Sequence, residues 1–270
     1  MTTPSPPSVP DAHASHRHRD LEQIAIASLA CARMLMETGS RVMTVHECCR
    51  LIATGLGVEI MGMRVGYASI SVTLKSGGNT ITRMVTVRRH GMDHRLNQAI
   101  RRLIVTVSES ATPPDVIVAR LDALVATSPR YPLGVVVVAV GLACTAFGGL
   151  LGIDRGAFLP VFLASGIGQF VRHTLLERGL NPYVAIITTA FTAAFLCGSL
   201  ARLAGSGTVN LAAIASTLLL VPGITATNAQ ADILDGLPTM GSARAVSMLM
   251  AMVFTTTGIF AAQGVLGLLL

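Results

Sequence analysis

The spacing of apolar positions changes several times along this chain, and each change marks an element. From Leu21 the stripe Ile24, Ala27, Cys31, Met34 and Leu35 has helical period and stops at Thr38-Gly39. A second helix is predicted at once: Thr44 and Glu47 have capping-box spacing, and Val45, Cys48, Cys49, Ile52 and Leu56 recur until Gly55 and Gly57 end the run. The period then falls to two. Val58 to Val65 form one such segment; Ala68, Ile70, Val72 and Leu74 alternate with Ser69, Ser71, Thr73 and Lys75; Ile81, Val85 and Val87 come after a Gly77-Gly78-Asn79 turn. Helical spacing returns at Leu96, Ile100, Leu103, Ile104 and Val107, and again at Ile117, Leu121, Leu124 and Val125 behind Pro113-Pro114. Residues 21–128 are therefore expected to make a small ααβββαα domain with its own core.

Beyond the hinge Ser128-Pro129-Arg130-Tyr131-Pro132, whose Tyr131 suits a bilayer interface, periodicity gives way to five uncharged runs: Leu133 to Ile153, Gly156 to Val171, Gly179 to Ala201, Leu203 to Ala231 and Ala245 to Leu270. A spanning helix needs about 20 apolar residues. The first, third and fifth runs meet that requirement. The second is short and needs Arg172 to snorkel or the bilayer to thin, while the fourth is long enough to contain a break. That break is written at Val221-Pro222-Gly223, where proline removes a backbone donor and glycine frees the dihedrals. Thr225, Thr227, Asn228 and Asp232 come next. Such a segment fits either the lining of a polar site at membrane depth or a kink packed against neighbouring helices with its hydroxyls bonded to their own backbone.

Composition agrees with a membrane protein: 51% of the 270 residues are hydrophobic and 13% charged, with mean hydropathy +0.63. Fifteen of the twenty cations and ten of the fourteen acids precede Pro132, so the charge belongs to the front half. Nineteen cations are arginine, without a basic run or nucleic-acid motif, and anionic headgroups or acidic solutes suit them better than nucleic acid. Arg130, Arg172, Arg178 and Arg244 against Arg155 and Arg202 favour an inside N-terminus and an outside C-terminus. Five cysteines without paired spacing read as buried reduced thiols, which places the front domain in the cytosol. Residues 1–20 hold no apolar core; a disordered tail is expected and no cleavable signal peptide. Its His13, His16 and His18 lack a second shell to orient a metal, and no metal or cofactor is expected.

Candidate chemistry comes from polar groups where lipid forbids them. Gln169 and Arg172 stand near the inner end of the second span, Asn181-Pro182 opens the third, Thr188, Thr189 and Thr192 lie within it, and Pro222, Gly223, Thr225, Thr227, Asn228 and Asp232 complete a candidate substrate path. Arg172 offers a fork for a carboxylate, or snorkels; Asp232 offers a site for an ammonium or a proton, or lies in a cytosolic loop. On the path reading, Asn228→Ala and Asp232→Asn abolish transport without harming folding. His46, Cys48 and Cys49 invite a nucleophile or metal pair, but the cysteines fall on the apolar stripe, and no hydrolase or phosphate-loop motif is present, so no enzyme is expected. Small pairs such as Gly148/Gly152 and Ala164/Gly168 suit close helix packing.

Glu37-Thr38-Gly39-Ser40 through Leu56-Gly57-Val58, Thr82-Arg83 running into Arg88-Arg89, Tyr131-Pro132, Leu180-Asn181-Pro182 and above all Leu220-Val221-Pro222-Gly223 with Thr227-Asn228 and Asp232 resemble the threonine/serine exporter (ThrE) family over about residues 22–268. More narrowly they resemble its split YjjP-like half. The resemblance implies an α-helical integral membrane protein of five transmembrane helices (129–270) behind a small α/β cytosolic domain (21–128), set in a bacterial inner membrane. It implies export of small carboxylates, either threonine and serine or a dicarboxylate such as succinate, driven by the proton motive force. It further implies a YjjB-like partner subunit, with self-association as another arrangement. One departure stands out: Thr44 and His46 occupy positions where the family commonly has an Arg and, two residues on, a Glu. The rival reading is a membrane-anchored sensor or scaffold that binds a ligand and transports nothing.

Overall fold

The computed structural model describes residues 17–88, 90–129 and 131–269. His13 and His16 of the expected tail, together with Arg89 and Arg130, lie outside the described residues. The described chain is mostly helical with one small sheet and divides into two compact units. One comprises the residues up to Ser128 together with Asn228–Ala243. The other comprises Pro129–Thr227 and the residues from Arg244 onward.

The first unit is built around α1 (His18–Glu37), which begins three residues earlier than its apolar stripe. Leu21, Ile24, Ala25, Ala27, Leu29, Cys31, Ala32, Leu35 and Met36 are all buried, covering more of the helix than one stripe. The reason is its position: helices α2 (Val42–Gly55), α3 (His94–Glu109) and α4 (Pro114–Thr127) pack on part of it, and two strands of the sheet on another. The alanines let these neighbours approach. The sheet is an antiparallel meander, β1 (Glu59–Val65), β2 (Ser69–Ser76) and β3 (Asn79–Thr86), with a bulge at Ile60/Gly62. The β2–β3 turn is Gly77-Gly78, and Gly77 takes the φ of +57° that a side chain would resist. Ile70, Val72 and Leu74 are buried to 1% exposure or less, each contributing roughly 1.5–3 kcal/mol of burial. The alternating Thr73 meets Thr82 across the strands, hydroxyl to hydroxyl at 2.9 Å.

The capping box expected at Thr44 and Glu47 is not the start of the second helix. α2 begins three residues earlier, its N-cap Arg41 supplies no side-chain acceptor, and Thr44 and Glu47 lie inside the helix. The acceptor comes from far along the chain: the Val42 N–H donates to Asp232 Oδ1 at 3.0 Å.

The second unit holds α5 (Leu133–Leu150), α6 (Arg155–Glu177), α7 (Pro182–Leu203), α8 (Val209–Ser216) and a 3-10 turn (Leu218–Leu220), with the first part of α9 (Gly223–Leu234) and most of α10 (Pro238–Leu269). Leu133–Leu150, Pro182–Leu203 and Pro238–Gly267 are long and apolar enough to cross a membrane. A fourth candidate is the bent pair Val209–Leu220 and Gly223–Leu234, which turns by 62° at Val221-Pro222. The expected second run forms the continuous α6, which carries Arg155, Arg172 and Glu177 and is not among those candidates. Close packing uses small residues as expected at Gly148 and Gly168, where an added Cβ would meet Ile153 at 2.6 Å and Ala193 at 3.2 Å. Gly152 instead serves a turn, with φ +87° and open space beside it.

Candidate functional site

In the membrane unit the candidate residues are placed by α6 and α7. α6 starts at a strong cap: Asp154 accepts from Ala157 N–H (3.0 Å), and its other oxygen accepts from the Ser206 hydroxyl (3.0 Å) and Gly207 N–H (2.7 Å). One carboxylate thus ties the loop before α6 to the loop after α7. Further along, Gly168 brings the two helices together. A Cβ there would lie 3.2 Å from Ala193, 3.6 Å from Thr189 Cγ2 and 3.8 Å from Leu219 of the 3-10 turn. Arg172 stands one helical turn beyond Gly168 on the same face, and Gln169 three residues before it.

Two polar atoms here have no hydrogen-bond partner among the described residues. Arg172 Nε and Thr189 Oγ1 are buried and make no hydrogen bond, and Arg172 has no ion pair among the described residues. Thr192 behaves as an ordinary helical threonine, donating back to the Thr188 carbonyl at 2.8 Å. A buried N–H of a cation left unmatched costs at least about 1–3 kcal/mol, which makes these two atoms candidates for a bound group.

The remaining path residues have other commitments. Asn181 caps α7, accepting from Tyr183 N–H at 2.9 Å. The Thr227 hydroxyl donates to the Ile224 carbonyl at 3.0 Å, Thr225 is half-buried, and Pro222 and Gly223 form the break itself. The unit boundary falls within α9, after Thr227. From Asn228 to Ala243 the chain belongs to the first unit. The Asn228 amide donates to the Gly39 carbonyl at 2.8 Å, and fully buried Asp232 accepts from Val42 N–H. Met240, at the start of α10, joins the core that α1 and the sheet build. α9 and α10 meet so closely there that a Cβ on Gly241 would sit 2.8 Å from the Ala229 carbonyl.

These bonds converge on the α1–α2 corner. Asn97 of α3 donates to the Thr38 and Ser40 hydroxyls (3.0 and 2.6 Å), Asp93 N–H donates to the Thr38 carbonyl (3.3 Å), and Gly39 turns the chain with φ +88°. Sequence reasoning singled out Thr38-Gly39-Ser40 but missed Asn97, whose only signal is a polar residue on the inward side of an amphipathic helix. It also missed a groove between α2 and α3 where Cys48 meets Arg101 and Arg102. Among the described residues, no group of three or more His, Cys, Asp or Glu side chains could hold a metal ion.

Bilayer-length helices, an apolar helix pair bent at Val221-Pro222 and an unmatched guanidinium nitrogen in the same unit fit an integral membrane protein of the transporter class. The chain matches the family described as "Putative threonine/serine exporter" (ThrE) over residues 27–266, and it belongs to that family. Among its relatives is the "Probable succinate transporter subunit YjjP" of Klebsiella aerogenes, 28% identical over 251 residues, covering 92% of this chain and 96% of that one. The protein of the same description in Escherichia coli K12 is 27% identical over 251 residues, covering 92% and 97%. No solved structure matches the chain.

Proposed function

We propose that this chain is one subunit of a proton-motive-force-driven exporter of small carboxylate metabolites in the bacterial inner membrane. Dicarboxylates of the succinate type are its first substrates, ahead of threonine and serine. The observation that carries this reading is Arg172, a guanidinium in the membrane unit whose buried Nε has no hydrogen-bond partner among the described residues. A planar fork of donors binds carboxylate better than any other group of that size.

Charge balance supports a dicarboxylate over an amino acid. A zwitterion needs an acceptor for its ammonium as well as a donor for its carboxylate. Residues 129–227 and 244–270 contain two acids, Asp154 and Glu177. The first is bound by Ala157, Ser206 and Gly207, and the second is exposed beside His173 at 3.1 Å. Arg172, with no ion pair among the described residues, therefore suits a net anion. Gln169 and Thr189 supply neutral donors on α6 and α7, and the 62° bend at Val221-Pro222 is the kind of broken apolar segment that lines a watery path.

The full path takes five crossings, with α6 as the one whose uncharged stretch, between Arg155 and Arg172, is short, the N-terminal domain in the cytosol and the C-terminus outside. The word "subunit" in the relatives' descriptions supports a second membrane chain of the YjjB type. The test is succinate efflux from proteoliposomes carrying both subunits, with an imposed proton gradient. Arg172→Gln is expected to lower efflux about 10–100-fold, the loss of one charge-assisted bidentate contact of roughly 1.5–3 kcal/mol. Unchanged efflux at equal reconstitution would sink the assignment, and threonine leaving faster than succinate would reverse the substrate order.

A further inference from the structure

Three thiols sit where α1 and α2 cross, and they are not equivalent. Cys49 is buried and donates to the Ser28 carbonyl at 3.4 Å; burial pushes its pKa far up, so it stays an inert thiol. Cys31 is fully buried, and its thiol interacts with that of Cys48 across the two helices. Cys48, 4% exposed, is the one of the three that lines a groove of about 620 Å³ between α2 and α3, whose walls include Glu47, Gln98, Arg101, Arg102 and Thr106. Neither arginine has a carboxylate partner among the described residues. The hydrogen bond from Cys31, aided by the Arg101 charge, holds the Cys48 thiol below its ordinary range, while donating that bond and being buried push Cys31 up.

We propose that Cys48 is a thiol–disulfide exchange site for a small anionic disulfide, held by Arg101 and Arg102 in this groove, with Cys31 as the resolving thiol. The groove is far larger than a peroxide needs and carries cations suited to the carboxylates of a peptide disulfide. In the first step the Cys48 thiolate attacks one sulfur of the bound disulfide. That S–S bond breaks, a mixed disulfide forms on Cys48, and the departing thiolate leaves to take a proton from water. In the second step Cys31 gives up its proton, attacks the Cys48 sulfur and expels the other half as a thiolate, which that proton neutralises. The pair loses two electrons and two protons overall, and the disulfide becomes two thiols. The product is a covalent tie between α1 and α2 inside the domain core.

The experiment uses the full-length protein in detergent, oxidised glutathione as the anionic probe and cystamine as a cationic one of the same chemistry. Peptide mass mapping is expected to find a linkage between residues 31 and 48 in the wild type, and a stable mixed disulfide on Cys48 in Cys31→Ser and in Cys31→Ala. Cys48→Ser should yield neither. Glutathione should react about tenfold or more faster than cystamine, and Arg101→Gln with Arg102→Gln should abolish that preference. The proposal is overturned if the native protein leaves Cys48 unmodified while the denatured chain reacts, if both Cys31 variants fail to accumulate the mixed disulfide, or if the two probes react equally with wild type.

Discussion

Two groups of polar residues in this molecule look alike in sequence and have opposite fates in the fold. Asn228 and Asp232 come after a broken apolar run, yet both find partners in the first unit, at Gly39 and at the first amide of α2. Arg172 and Thr189 sit within ordinary helices, yet each keeps a buried polar atom that no group among the described residues matches. A polar residue in apolar sequence points to a bound solute only after its partners have been counted. Satisfied groups are part of the architecture, and unsatisfied ones are gaps in the hydrogen-bond inventory that a ligand can fill.

The largest effect that sharpens this contrast separates charge from shape at Arg172. Arg172→Lys keeps the cation and loses the planar fork, so efflux should fall less than with Arg172→Gln but still by about 10-fold, the cost of one missing hydrogen bond to a charged group. Paired KM and kcat measurements on reconstituted efflux check it. Lysine equal to arginine would mean that the residue supplies only potential and does not grip the carboxylate.

Next in size is Asp232. As a cap for α2 it should be worth about 1–2 kcal/mol, so Asp232→Ala lowers the thermal midpoint of the full chain and speeds hydrogen exchange at the first-turn amides of α2. Asp232→Asn keeps an acceptor and should retain most of that protection, together with most of the efflux. If Asp232→Asn leaves α2 protected but stops export, the carboxylate carries a proton or solute as well as capping the helix.

The helical and strand periods of residues 21–128 were legible because each element there buries one face, or nearly so, against a single core. The break at Pro222 was legible too, since no side chain repairs a missing backbone donor. The fate of the segment beyond the break was not. Nothing local in Asn228–Ala243 says which surface will receive Ala229, Asp232 and Met240, because their partners lie about two hundred residues earlier. The same long reach explains the misplaced start of α2: the apparent capping box at Thr44 and Glu47 was a local pattern, and a distant carboxylate meets the helix end three residues upstream. Thr189 and Thr192 could not be told apart either. Both are threonines on one apolar helix, and only the approach of Gly168 puts the first into a buried junction while the second stays free to bond backward.

Thr189 gives a smaller test of that distinction. Thr189→Val removes an unmatched hydroxyl at nearly constant volume, so the protein should be as stable as wild type or slightly more so. If the hydroxyl serves a passing carboxylate, efflux should still fall by about 3–10-fold, the value of a single neutral hydrogen bond. Thr192→Val, which loses only a backward bond, should leave efflux unchanged. Equal effects at both positions would reduce the junction to packing.

The smallest expected effect concerns a third unmatched atom, in the first unit. His46 Nε2 is buried without a hydrogen-bond partner, and burial lowers the pKa of the ring. The folded state therefore prefers neutral His46, whereas the unfolded chain takes a proton at the ordinary value of about 6.5. Its contribution is fully present above that value and is lost as pH falls toward and through the lowered folded pKa, because the unfolded state binds the proton first. Thermal midpoints of wild type and His46→Gln, compared at about pH 7.5 and about pH 5, isolate this contribution from the other histidines. The wild type should lose more stability on acidification than the variant. An identical loss would show that the ring reaches water without cost, and His46 would then belong with the satisfied groups of the first unit after all.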